Sequence, residues 1–152
     1  MRTVTLHSLV VVFVLCAATP ALAARDDDGD GTRSQQSYSS IVSEARRYIG
    51  TNPTRRKSLW CAAFMNLVLE RTGHRTTGSD KARSFASLGV RVSGPQVGAI
   101  AVMSRGKNGG HVGVVSGIDA SGNVIVVSGN HNNTVAEAAY PRSRIYAYVL
   151  PS

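Results

Sequence analysis

From Tyr38 to Gly89 apolar residues recur at helical spacing, and beyond Gly89 they gather into short β-branched runs. Ile41, Ala45, Tyr48 and Ile49 share one face of a helix expected over residues 39–49, which Gly50 ends as a left-handed stop. A loop follows, with Pro53 and the basic run Arg55-Arg56-Lys57. The most apolar helix is expected over 59–72, with Ser58 as N-cap and Gly73 as stop. A third, over 80–88, has Ser79 as cap and Gly89 as stop. The runs at 97–103, 112–118, 124–127 and 146–150 are separated by Gly, Asn, Asp and Ser and read as strands, with a hairpin-type connection at 119–123. Helices followed by an antiparallel sheet make an α+β domain.

The N-terminus stands apart from this pattern. Arg2 precedes an apolar run at 9–18, too short for a stable membrane anchor, and Ala21-Leu22-Ala23 supplies small residues for cleavage after Ala23. Residues 1–23 are therefore expected to be a signal peptide and the mature protein to be secreted or periplasmic. Leu15 stands before Cys16 where lipidation wants a small residue. Residues 24–37 are polar and read as a disordered linker, leaving 38–152 as the folded domain. The run Asp26-x-Asp28-x-Asp30-Gly31 imitates the start of a calcium loop, but Ser37 occupies the position of its bidentate Glu. No metal and no cofactor are expected.

Loss of the signal changes charge and chemistry. Without Arg2 the 17 Lys and Arg become 16 against 9 Asp and Glu, leaving +7. Such a charge favours anionic partners or simply keeps the chain soluble, and export makes wall polymers readier partners than nucleic acid. A monomer without nucleic-acid or membrane partners is expected. Cys16 leaves with the signal, so Cys61 is the sole remaining thiol and cannot form an internal disulfide.

Cys61 falls at the expected start of the second helix, where unpaired N–H groups and the macrodipole favour a thiolate; otherwise it is a core thiol beside Ala62, Ala63 and Phe64. A nucleophilic thiol needs a base that titrates near neutrality. His7 leaves with the signal, His74 follows a helix end, and His131 sits in a polar loop. His111 opens a strand behind Gly109-Gly110 and is the candidate base. Asn130 ends the neighbouring strand and could fix the imidazole, or merely cap a turn; Asp119 lies at the hairpin's far end.

Leu59-Trp60-Cys61-Ala62-Ala63-Phe64, Gly109-Gly110-His111-Val112-Gly113-Val114-Val115 and Gly129-Asn130 resemble the Cys and His blocks of the CHAP family, the cysteine, histidine-dependent amidohydrolases/peptidases. The likeness covers most of the expected domain and is nearest to short exported members with W-C-A-A-F and G-N-Q blocks. It implies a papain-like, CHAP/NlpC-like core with N-terminal helices packed on a small antiparallel sheet. It implies hydrolysis of amide bonds in peptidoglycan stem peptides, with Cys61 as nucleophile, His111 as base and Asn130 as orienter. Many members carry E-x-N after the His strand; here that spacing reads Ser128-Gly129-Asn130, and His131 replaces the usual Gln. Trp60, Tyr48 and His131 are the candidate substrate-contacting residues, Trp60 serving equally well as a core anchor. The rival readings are a non-catalytic wall-binding module, and an acyltransferase or toxin using the same Cys-His pair.

Overall fold

A computed structural model describes residues 28–106 and 109–152. The expected signal peptide, and residues 24–27 of the expected linker, lie outside this span.

Helix α1 (Asp28–Arg46) begins well before the expected start at Ser39. Its C-terminal half buries Ile41, Val42 and Ala45. The polar half continues that packed helix, since extending a helix costs far less than nucleating one. Ser37 Oγ lies 2.8 Å from His74 Nε2, which ties residues once expected as linker to the fold.

Helix α2 (Cys61–Arg71) buries Cys61, Ala62, Phe64, Met65, Val68 and Leu69, a stripe at helical spacing. Its end follows from Gly73, whose φ of 75° permits a Schellman motif. The His74 N–H donates to Leu69 O at 2.9 Å and that of Gly73 to Glu70 O at 3.1 Å. Each fully buried Phe, Leu, Val or Met contributes roughly 1.5–3 kcal/mol, so α2 is held mainly by its buried face. The third expected helix is a short 3-10 turn, Ala82–Ser87, and a second such turn spans Arg142–Arg144.

Six antiparallel strands form one sheet: β1 (Val90–Val92), β2 (Ile100–Arg105), β3 (Gly109–Ile118), β4 (Val124–His131), β5 (Thr134–Tyr140) and β6 (Ile145–Leu150), in the order β1-β6-β2-β3-β4-β5. Strand alternation divides the core. Ile100, Val102, Val112, Val114, Val127 and Val149 pack with α1 and α2. Ala101, Met103, Val115, Val126, Tyr140 and Tyr148 fill a second cluster on the other face. Helices packed on an antiparallel sheet are the α+β, papain-like arrangement read from the sequence.

Strands β1 and β5 were not anticipated. β5 reads Thr-Val-Ala-Glu-Ala-Ala-Tyr and is poor in strand formers. It forms because Asn132 and Asn133, with φ of 49° and 61°, make a two-residue hairpin between the paired His131 and Thr134. Arg46 then clamps β5 to α1, its Nη2 2.6 Å from Glu137 Oε1.

Candidate active site

The chain enters α2 through Leu59, at φ 55°, and Trp60, which stands at the cap position without a side-chain cap bond. Ser58, the expected cap, lies outside this turn. Trp60 is fully buried. Its Nε1 donates to Asn133 Oδ1 at 3.2 Å, and its ring packs edge-on to Phe64. A Cβ on Gly129 would come within 2.5 Å of that ring, so this glycine makes room for it. Trp60 thus anchors the Cys61 turn to the β4–β5 hairpin. It is a core residue rather than a substrate contact, because no part of it reaches solvent.

Cys61 is 6% exposed, and lines a groove of about 600 Å³ with Leu59, Asp80, Ala82, Gly110 and Tyr146. The Arg56–Asp80 ion pair, at 2.7 Å, ties the loop before α2 to one wall of this groove. Backbone N–H groups of Val112, Ala62 and Cys61 itself are directed at the sulfur and favour its anion, as does Arg105. Burial outweighs them and pushes the thiol above its ordinary range. Desolvation thus opposes the helix dipole that was expected to favour a thiolate.

His111 lies on β3 and is 4% exposed. Its Nε2 is 2.9 Å from Ser128 Oγ and 3.4 Å from the Tyr140 hydroxyl. Its Nδ1 is buried with no hydrogen-bond partner among the described residues, so the thiol is not bonded to it. Burial first, then Arg105, Arg144 and His131, lower the imidazole to about 4. At neutral pH both members of the pair are uncharged.

The geometry between them is lateral. Paired register between β3 and β4 runs from Ile118↔Val124 to Val114↔Val127. At the start of β3, Gly109 and Gly110 share a groove with Cys61. Val112 faces α2, whereas His111, the adjacent residue, turns to Ser128 and Tyr140. The thiol thus approaches β3 at the residue next to the imidazole, and Arg105 lines both the Cys61 groove and the hollow on the His111 side.

That hollow, of about 170 Å³, is lined by Arg105, His111, Asn130, His131, Tyr140 and Arg144, together with Asn132. Asn130 sits beside His111 but makes no hydrogen bond to it among the described residues; the ring bonds go to Ser128 and Tyr140. The register shift between Ser128 and His131, with Asn130 at φ 61°, breaks the alternation that would set Asn130 against the ring. His131 does line the hollow, its Nδ1 3.4 Å from the Tyr140 hydroxyl. Tyr48 lines neither cavity: its hydroxyl donates to Glu44 Oε1 at 2.9 Å and its ring meets Phe64 edge-on. These contacts place it in the helix packing. Asp119 accepts from the N–H groups of Ser121 and Asn123 in the distal turn. Ser128 occupies the Glu position of the E-x-N spacing, which was the available signal for it. Arg105, Tyr140 and Arg144 carried no local signal, since only the β4–β5 hairpin and the turn before β6 bring them together.

A family model described as the CHAP domain matches residues 52–130. The chain belongs to the CHAP family. The matched span of this CHAP domain includes Cys61, His111, Ser128 and Asn130, while Tyr140 and Arg144 lie beyond it. No curated protein gives a significant match to the chain. Membership supports a cysteine-hydrolase or amidase function on cell-wall substrates in general. CHAP domains typically occur in secreted or periplasmic cell-wall hydrolases.

Proposed function

We propose that this CHAP domain is an exported cysteine peptidase or amidase that hydrolyses amide bonds of peptidoglycan stem peptides, with Cys61 as nucleophile, His111 as base and Ser128 holding the imidazole. The observation that supports this reading is that Cys61 lines a groove with Arg105 and Gly110, the residue before His111, whose Nδ1 is buried and, among the described residues, unpaired. A tautomer with Nε2–H donating to Ser128 Oγ leaves Nδ1 with its lone pair, ready to take the thiol proton.

The steps balance as acyl transfer. Cys61 attacks the amide carbonyl as its proton passes to His111, forming a C–S bond. The Cys61 backbone N–H, at the uncovered start of α2, helps hold the oxyanion. The imidazolium protonates the nitrogen as the C–N bond breaks, and an amine leaves. Water then attacks the thioester with His111 as base, releasing a carboxylate product and restoring the thiol. Asn130 and His131 form the wall on the far side of the ring and meet the substrate there.

A second reading, a wall-binding module without activity, is favoured by one observation: both members of the pair rest uncharged and not bonded to each other. Mass spectrometry of purified peptidoglycan incubated with the protein separates the two. A hydrolase releases new amines and carboxylates, and Cys61→Ala releases none while still sedimenting with wall. No products from the native protein, with wall affinity intact, would support the binding module. Export is tested by N-terminal sequencing of the processed protein, with Ala24 expected as its first residue.

A further inference from the structure

We infer that the small hollow beside His111 is a carboxylate subsite, which takes the free carboxylate of an acidic peptide between Arg105 and Arg144. The inference rests on the peptide-hydrolase reading for the identity of the occupant and adds to it which peptides are preferred.

The hollow is built from separate parts of the fold. Arg105 comes from the end of β2, Asn130 and His131 from β4, Tyr140 from the end of β5, and Arg144 from the turn before β6. Two guanidinium groups and two imidazoles line it, and among the described residues no Asp or Glu does. The ion pairs among the described residues use Arg46, Arg47, Arg56 and Arg71, and neither Arg105 nor Arg144. Arg144 lies over the Tyr140 ring, 5.3 Å from its centroid, which fixes the plane of the guanidinium and leaves its N–H edge to bind. A volume of about 170 Å³ suits a small planar group better than a length of peptide backbone. A carboxylate matches both the arginine fork and the single negative charge that this pocket lacks.

The occupant would also serve the reaction. His111 must carry a proton during each turnover, yet its partner Ser128 is neutral, and both arginines disfavour the imidazolium. A carboxylate in the hollow reverses that field and arrives only with substrate. An acidic peptide thereby brings the counter-charge that an acid at position 128 would otherwise supply. Hydrolysis is fastest when the carboxylate stands close to the scissile amide.

The test uses the full-length Cys61→Ala protein, so that binding is read without turnover. The probes are a peptide with a free carboxylate, its carboxamide twin, and inorganic phosphate. NMR titration of the His111 ring should show the carboxylate moving the midpoint upward by about one pH unit, with no movement from the carboxamide. Arg105→Gln and Arg144→Gln should each weaken this response. Arg142→Gln should not, because the Arg142 Nε donates to Gly122 O on another part of the surface. In the catalytically intact protein the carboxylate peptide should be cleaved at least tenfold faster than its twin, a preference lost in Arg144→Gln. Equal responses to carboxylate and carboxamide, or a stronger response to phosphate, would overturn the inference. A normal His111 response with no hydrolysis of any peptide would leave the subsite standing and remove the hydrolase reading instead.

Discussion

Ser128, not Asn130, is the residue against the His111 imidazole: its Oγ lies 2.9 Å from His111 Nε2, and both side chains are buried. Removing it leaves Nε2 with only the longer contact to the Tyr140 hydroxyl, at 3.4 Å. A lost buried hydrogen bond costs about 1–3 kcal/mol, and tenfold in rate corresponds to about 1.4 kcal/mol. Ser128→Ala should therefore lower kcat about tenfold or more while moving KM little. Asn130→Ala should act chiefly on KM, as expected of a wall residue. Steady-state kinetics on a soluble stem-peptide amide distinguishes the two, and the reverse pattern would return Asn130 to the role of orienter.

The resting charge state of Cys61 sets a second expectation. Burial holds the thiol above its ordinary range despite three N–H groups at the sulfur. The rate of alkylation by iodoacetamide should climb steadily from pH 5 to pH 9. A plateau through neutral pH would mean a stable thiolate–imidazolium pair, contrary to the account. Mass mapping of the modified peptide assigns the site.

Stability should depend on pH through His111. Its folded pKa, about 4, lies below the ordinary value of 6.5, so between these values the unfolded chain binds more protons. The contribution is fully present above about pH 6.5 and is lost as pH falls toward 4. The difference amounts to on the order of 3 kcal/mol. His74, also lowered by burial, acts in the same direction. Urea unfolding at pH 7 and pH 4.5 should show a marked loss in the native protein. His111→Gln should show a smaller one, and an unchanged pH dependence in that variant would locate the effect elsewhere.

Gly129 tests the link between the Trp60 turn and the hairpin. A Cβ there would lie 2.5 Å from the Trp60 ring and 2.8 Å from Phe64 Cβ. Overpacking of a filled core typically costs about 1–3 kcal/mol, so Gly129→Ala should lower the urea midpoint by a corresponding amount. It should also reduce kcat, because the same ring fixes the start of α2. Unaltered stability would show that Trp60 has room to move.

How much of this was legible in the sequence follows from the range of each interaction. α2 was readable because its apolar stripe and Gly73 stop are local, although it starts at Cys61 rather than at the expected Leu59. The strand carrying His111 was readable for the same reason: β-branched runs bounded by glycines need no partner to be recognised. The start of α1 was missed because its polar half has no periodicity and depends on the packed turns after it. β5 was missed because Ala and Glu are weak strand formers, although Asn132-Asn133 was a usable hairpin signal. Cys61 and His111 were singled out from residue type and position, and both are buried, one at the start of α2 and the other on β3. Ser128 was passed over because spacing marked its position but serine did not suggest a partner for histidine. Arg105 and Arg144 come together only through the sheet order, which single-chain patterning does not encode.

Whether Cys61 forms a covalent intermediate is settled by acid-quenching the protein during turnover of a stem-peptide amide and measuring its intact mass. An added acyl mass, mapped to the peptide containing Cys61, labile to hydroxylamine and absent in Cys61→Ala, is the outcome required. Sustained hydrolysis with no adduct on Cys61, and undiminished in Cys61→Ala, would show that the chemistry lies elsewhere in the molecule.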